Sequence, residues 1–476
     1  MTTTASPQTA EVTGYSPRTA SRQTWILAWL AFLPLVIFRA GILSEGDTFW
    51  QIRIGQLILA HHSIPATDTF SWTAHGTPYF QNSWGFDVLL AVAYRVAGLP
   101  GVALLCAVIT AGIVALALAV ARTLGASAAA AAVVFFLSLP LLAGWLSARP
   151  QLVDYAAVLA LALLLRGIER GRGRWGAAAL AGLLTATWIN LHAAALLAVA
   201  VAAASAVLLL LLARRDARWR YAAAAALAAA AGCLANPHGI GVLHQASQVH
   251  ADSTQLVTEW MPFDPANVVQ DLTLAAGIAA LIIAWRRREA VMGAALVICM
   301  AGSIQAVRFL PFVVILAMPV LASFASNPPA PMRRYLVSRR VMLQRGGALG
   351  FAALVALAVT SLTHIGRPEP ATYPVTVVAA IPHGCRLFTN DLIGAYVILA
   401  RPDVPVSLDT RNNLYGPKLL IAEERVLHGW GNPAQGLAGA GCVLTPRGYG
   451  LARQLRHDRQ WQVRATDQIA ILYVRR

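Results

Sequence analysis

The chain has 476 residues, 58% of them hydrophobic and only 12% charged, with a mean hydropathy of +0.61. A soluble domain carries about 25% charged residues, so this composition excludes one and defines a polytopic helical membrane protein. The net charge of +16 would suggest nucleic acid in a soluble protein, but its arginines lie in loops between apolar runs, without aromatic–basic interleaving, and no nucleic-acid partner is expected.

In chain order, residues 1–23 are rich in Thr and Ser and read as a disordered cytoplasmic tail. The segment 24–363 reads as a transmembrane domain, because apolar runs of spanning length recur along it. About eleven are expected, near 25–43, 100–121, 127–145, 152–166, 175–191, 193–213, 221–235, 271–285, 291–306, 309–325 and 347–363. The first run is too long for a signal h-region and no cleavage site follows it, so an uncleaved anchor is expected.

Arginine clusters at 166–174, 214–220, 286–288 and 333–340 fall in alternate loops, and Arg18 and Arg22 precede the first run. The positive-inside rule then places the N-terminus in the cytoplasm and, with eleven spans, the C-terminus outside. The opposite loops hold Asp47, Asp68, Asp87, Asp252, Glu259 and Asp264, so chemistry is expected on the extracytoplasmic face.

The first external loop, 44–99, is far longer than a connector needs. Phe49 to His62 has helical spacing and ends at Ser63-Ile64-Pro65; Trp84 to Ala97 is amphipathic and runs through Gly98-Leu99-Pro100 into the next span. Both are expected as interfacial helices that floor a cavity open to lipid and water. From 364 to 476 the pattern changes. CRLFTN, PVSLD, GCVLTP and AILYVRR read as strands, with LIGAYVILA and PKLLIAEERVLHGW as helices between them. A small extracytoplasmic α/β domain of two or three layers is expected, without a nucleotide-binding glycine motif. Cys106, Cys233 and Cys299 lie in apolar runs; Cys385 and Cys442 lie outside them, where a bridge is open and so are two separate thiols.

Asp47 is the leading candidate for catalysis. A base that acts on a lipid-linked substrate belongs where headgroup meets water, and Arg39 or Arg53 could tune it. An ordinary helix-end aspartate is the alternative. Arg149, held beside Pro150, and Arg308, between two close spans, suit a donor phosphate, and Arg53 joins them as a third cation. Trp50, Trp84, Gln151, His192, Asn236, His238 and Glu259 are candidate substrate contacts at outer boundaries; Trp72 and Tyr79 could also stack on a sugar, or serve only as belt aromatics. Asp68, in Asp68-Thr69-Phe70-Ser71, looks like a turn or cap, with a substrate contact as the other reading. Adjacent His61 and His62 diverge on a helix, so no metal site is assigned.

Taken in order, GDTFW, ARPQ, NLH, NPHG, TEW, VRFLP and SLDTRNNLYG resemble an uncharacterised bacterial family of multi-spanning proteins. That family is related to the type C glycosyltransferases, which include protein O-mannosyltransferases and the aminoarabinose transferases of lipid A. The resemblance runs from about Gly46 through nearly the whole chain. It implies a type C glycosyltransferase-like membrane fold in a bacterial cytoplasmic (inner) membrane, and a transferase that takes a sugar from a polyprenyl-phosphate donor. The essential acid of the first external loop would be Asp47, and the acceptor an extracytoplasmic glycan, lipid or protein. Gln51 stands where the family often carries His, and the loop ends Gln81-Asn82-Ser83-Trp84 where His and Glu are usual. Neither favours a metal-assisted mechanism, although a divalent cation as cofactor stays open. Two rivals remain: a transporter or flippase of a lipid-linked glycan, and a non-catalytic envelope assembly protein. A transporter should carry ionisable residues at mid-membrane depth, whereas here they gather at outer ends, with Asp154 the nearest exception.

Overall fold

A computed structural model describes residues 21–212, 216–245 and 257–476. The expected disordered tail therefore lies, up to residue 20, outside the described residues, as do Asp252 and part of the 214–220 arginine cluster. The membrane part is helical. Seven described helices are long and apolar enough to span: Trp84–Thr123, Ala128–Trp145, Gln151–Glu169, Ala193–Leu212, Val268–Arg286, Val307–Ala325 and Arg340–His364. Of the other expected runs, Trp175–Leu191 and Ala290–Gln305 are shorter apolar helices, and 221–235 falls in the 16-residue helix Arg218–Cys233.

The run 25–43 is not one helix but two, α1 (Arg22–Leu30) and α2 (Leu33–Gly41). Pro34 stands in the first turn of α2, where its missing N–H costs nothing, whereas inside one continuous helix it would remove a hydrogen bond. The next helix, α3 (Gly46–His61), covers the first helical segment expected in loop 44–99. It lies so close to α4 (Trp84–Thr123) that a Cβ on Gly55 would sit 2.0 Å from the Asp87 carbonyl oxygen. α4 joins the second helical segment expected in that loop to its span across a kink at Ala97 and Gly98, where Gly98 has φ +62° ahead of Pro100. Helices α5 (Ala128–Leu142), α6 (Gln151–Glu169), α7 (Trp175–Leu191), α8 (Leu196–Leu212) and α9 (Arg218–Cys233) follow. The alanine-rich sequence of α9 lets it approach α7 closely: a Cβ on Gly232 would sit 2.5 Å from the Gly182 carbonyl oxygen. Small residues serve this purpose between membrane helices.

The segment after the last span returns to the start of the chain. Strand β1 (Ile42–Leu43) pairs in parallel with β2 (Arg367–Pro368). A four-stranded sheet then forms in the order β3-β4-β6-β5, from β3 (Leu387–Thr389), β4 (Cys442–Pro446), β5 (Trp461–Thr466) and β6 (Ala470–Arg475). β3 and β4 are parallel and the other pairings antiparallel. Side chains alternate across this sheet. Cys442, Leu444, Ala470 and Leu472 join the main core with the helix Asp391–Ala400, while Val443, Ile471 and Tyr473 pack with Val426, Leu427 and Leu451 from the helices Asn412–His428 and Gly450–His457. The arrangement is three-layered.

Two details depart from the expected elements. PVSLD forms no strand of the sheet; Val406 makes only isolated bridges, to Leu387 and to Ser71 of the first loop. WQVRAT does form one, and its mostly exposed side chains explain why its apolar signal is weak. Cys385 and Cys442 are disulfide-bonded, with Cα atoms 6.0 Å apart, whereas Cys106, Cys233 and Cys299 are free and buried.

Candidate functional site

Asp47 occupies the first turn of α3, where the helix dipole favours a carboxylate. Its Oδ1 accepts from Thr410 Oγ1 at 2.6 Å and from Trp50 Nε1 at 3.2 Å. Trp50 Nε1 also donates to Thr410 Oγ1 at 2.9 Å, so the three side chains form one closed set. Gly46 makes this approach feasible, since a Cβ there would meet the Thr410 methyl at 2.7 Å. Asp47 Oδ2 faces Arg149 Nη2 across 3.5 Å.

Arg149 reaches that position on a short loop held by two helices. Thr48 Oγ1 donates to the Ala148 carbonyl at 2.7 Å and Arg39 Nε to the Leu146 carbonyl at 2.9 Å. Arg149 also pairs with Glu259 and lies 3.8 Å from Glu45. Burial opposes its charge, but Asp47, Glu259 and Glu45 together more than offset this and hold the guanidinium above its ordinary range. Burial raises the Glu45 carboxyl above the usual carboxylate range, against the opposing pull of Arg149. Glu259 itself sits on the 3-10 turn Thr258–Trp260, tied to the start of the span Val307–Ala325 by the Val307 N–H, which donates to the Met261 carbonyl at 3.0 Å. Arg308 stacks over the Trp260 ring, 4.0 Å from its centroid.

These groups line one cavity of about 630 Å³. Glu45, Asp47, Trp50, Gln51, Tyr79, Arg149, Gln151, Glu259 and Arg308 contribute polar groups, as do Thr410, Arg411, Asn412 and Asn413 from the C-terminal segment. Leu196, Leu197, Ala200, Ile298, Phe309 and Phe312 supply apolar walls. Gln51 Oε1, Gln151 Oε1 and Arg149 Nε are buried without hydrogen-bond partners, which leaves polar capacity for a ligand. Among the described residues, no group of three or more His, Cys, Asp or Glu side chains is placed to hold a metal ion.

The cavity gathers Asp47, Trp50, Tyr79, Arg149, Gln151, His192, Glu259 and Arg308 of the candidates named from sequence, but not Arg53, Asp68, Trp72, Trp84, Asn236 or His238. Arg53 bonds to Gln56 on its own helix at 3.1 Å and does not line the cavity. Neither Arg53 nor Arg39 is the cation beside Asp47; that place belongs to Arg149, because Arg39 is engaged with the Leu146 carbonyl. Trp84 donates to Asn190 at 3.0 Å behind the wall. Asn236 closes its own turn, through the Cys233 and Gly239 carbonyls and the His238 N–H, while His238 stacks on Phe80 with ring centroids 3.7 Å apart. Asp68 is fully buried: it accepts from the Phe70 and Ser71 N–H groups and pairs with Arg411 at 2.6 Å, the cap role rather than a substrate contact.

Sequence reasoning missed Glu45, Thr410, Arg411, Asn412 and Asn413 as site residues. The signal was present in SLDTRNNLYG, a polar run where the sequence otherwise alternates strand and helix. Its destination is set by long-range packing. Trp72 N–H donates to the Val406 carbonyl at 3.0 Å, Val406 N–H to the Phe70 carbonyl at 3.1 Å, and Trp72 Nε1 to the Leu387 carbonyl at 3.1 Å. The first loop and the C-terminal segment thereby share the wall of the cavity.

The fold is that of the type C glycosyltransferases, built on a multi-pass membrane helical body. Among solved structures, the chain is similar to ArnT from Cupriavidus metallidurans bound to undecaprenyl phosphate, with 14% identity, a TM-score of 0.57 and coverage of 95% of this chain and 98% of that one. It is also similar to the Archaeoglobus fulgidus oligosaccharyltransferase tethered with an acceptor peptide, at 11% identity and a TM-score of 0.58, over 89% of this chain and 69% of that one. A third is the arabinofuranosyltransferase AftD from Mycobacteria, at 16% identity and a TM-score of 0.52; 95% of this chain matches 40% of that longer one. No family model matches the sequence, and no curated protein does.

Proposed function

We propose that the protein moves a sugar from a polyprenyl-phosphate donor to an extracytoplasmic glycan, lipid or protein acceptor, with inversion at the anomeric carbon. The observation that carries this reading is the cavity itself: the Asp47–Arg149 pair and Arg308 share one space with apolar walls formed by Leu196, Leu197 and Phe312. A lipid-linked phosphate needs that combination. Asp47 Oδ2, the oxygen not taken by Trp50 and Thr410, accepts the proton of the acceptor hydroxyl as its oxygen attacks the sugar. Arg149 and Arg308 stabilise charge on the departing phosphate. Trp50, Gln51, Gln151, Asn412 and Asn413 offer contacts to the sugar and acceptor.

The same reading places eleven spans in a bacterial cytoplasmic (inner) membrane, the N-terminus in the cytoplasm, and 364–476 outside as an α/β domain that completes the site. A topology reporter fused after Arg288 should read cytoplasmic and one after Arg476 external. An internal C-terminus would put Thr410 and Asp47 on opposite faces from the acceptor and contradict the reading.

Binding tests the donor assignment. Undecaprenyl phosphate titrated into purified full-length protein should bind, and Arg149→Ala and Arg308→Ala should each weaken binding by roughly tenfold to a hundredfold, as charge-assisted contacts of about 1.5–3 kcal/mol require. Arg95→Ala removes an exposed charge and should have little effect. Wild-type protein that ignores the lipid phosphate would overturn the proposal.

A further inference from the structure

The sequence Trp188-Ile189-Asn190-Leu191-His192 ends helix α7, with Trp188 and His192 one turn apart and therefore on one face. Both side chains converge on a single buried carboxylate from α6. Trp188 Nε1 donates to Asp154 Oδ1 at 2.6 Å, and His192 Nδ1 lies 2.6 Å from Asp154 Oδ2. Asp154 is 1% exposed and His192 is 9% exposed. With both carboxylate oxygens engaged, Asp154 fixes the imidazole so that Nδ1 carries a proton, as an orienting carboxylate does. The other ring nitrogen, Nε2, has no hydrogen-bond partner among the described residues, and His192 lines the cavity.

His192 shares that cavity with both apolar and charged groups. Ala193, Ala194, Leu196 and Leu197 follow it in sequence and line the apolar wall, while Arg308 and Glu259 line the polar part. Arg308 lies within electrostatic reach of Asp154. In a lipid-linked donor, the phosphate is the group between an apolar tail and a polar sugar.

We propose that the Asp154–His192 pair is the proton donor to the departing lipid phosphate, which makes His192 a second catalytic residue beside Asp47. This assignment rests on the donor reading given under the proposed function. As the acceptor oxygen bonds to the anomeric carbon, the carbon–oxygen bond to phosphate breaks and its electron pair goes to the phosphate oxygen. The proton on His192 Nε2 passes to that oxygen, while the acceptor's proton passes to Asp47. The enzyme ends with neutral His192 and protonated Asp47, and one proton carried by water from Asp47 to His192 restores the starting state. Proton transfer at the leaving group is normally worth about a hundredfold or more in rate. The titratable and charged groups around this pair are Tyr155, beside Asp154 on α6, and Arg308, with Glu259, Arg149 and Asp47 lining the same cavity.

Undecaprenyl phosphate binding to the purified full-length protein tests the proposal, measured at about pH 6 and about pH 9, either side of the range in which an imidazolium ordinarily becomes neutral imidazole. At the lower pH, His192→Gln should weaken binding by roughly tenfold or more, the size of a charge-assisted hydrogen bond. At the higher pH the ratio of wild type to variant should fall to one or below, because neutral Nε2 then presents a lone pair to the phosphate. Asp154→Asn should reproduce the loss at low pH. A penalty that is equal at both pH values would mark a merely structural histidine and overturn the assignment, as would no penalty at all. Failure of the wild type to bind the lipid would instead overturn the donor reading on which the assignment rests. Should His192→Gln not fold, His192→Asn replaces it, and the wild type's own loss of affinity from low to high pH still decides: affinity unchanged between the two would overturn the role.

Discussion

Asp47→Asn is expected to lower sugar transfer by on the order of a hundredfold or more while the protein melts at its normal temperature. The substitution keeps shape: the amide oxygen can still accept from Thr410 and Trp50, which hold Oδ1 at 2.6 and 3.2 Å. What it removes is the proton-accepting oxygen that faces Arg149. Glu45 and Glu259 remain beside the guanidinium, so Arg149 is not left without a counter-charge. Asp68→Asn should behave in the opposite way. Asp68 does not line the cavity but pairs with Arg411 behind its wall and accepts from the Ser71 hydroxyl at 2.7 Å, so its substitution should reduce stability first and activity only as a consequence. Initial rates for both variants, read beside their melting curves, separate the two roles; matching mild losses would remove the special place of Asp47.

Arg411→Ala should give the largest loss of stability. Arg411 is 1% exposed and binds Asp409 through two hydrogen bonds, Nε to Oδ1 at 2.8 Å and Nη2 to Oδ2 at 2.6 Å, while Nη2 also reaches Asp68 at 2.6 Å. Truncation would leave two buried carboxylates unpaired, an effect of about 3–5 kcal/mol where one partner of a buried pair is lost. The same side chain joins the first loop to the C-terminal segment, and its guanidinium lies 5.1 Å from the ring centroids of Phe70 and Tyr79. Thermal unfolding in detergent should therefore show a lowered transition, and adding Asp68→Asn to the variant should recover part of the loss. An unchanged melting curve would contradict the ion-pair account.

Much of the fold is legible in the sequence because hydropathy reports burial in lipid directly. Helix α3 and the kink at Gly98 follow from local signals, a helical period in the first case and glycine before proline in the second. Where reading fails, the cause is distance along the chain. Thr410 and Asp47 are 363 residues apart and meet only because the C-terminal segment folds back over the first loop, which no local pattern encodes. Arg53 is close to Asp47 in sequence but bonds to Gln56 on its own helix. On a helix, residues six apart lie on different faces, and it is Arg149, a hundred residues on, that closes the pair. Asp68 takes the turn-or-cap alternative, whose partners Phe70 and Ser71 are local, while its pairing with Arg411, far along the chain, has no local signal.

The lipid-linked sugars of a strain that lacks the gene provide the most direct measurement, compared after return of the wild-type gene or of the Asp47→Asn form. The account predicts that a polyprenyl-phosphate sugar accumulates in the deletion strain, that the corresponding sugar is missing from an envelope acceptor, and that wild type but not Asp47→Asn restores both. Restoration by Asp47→Asn, or an unchanged lipid-linked sugar profile in the deletion strain, would contradict it.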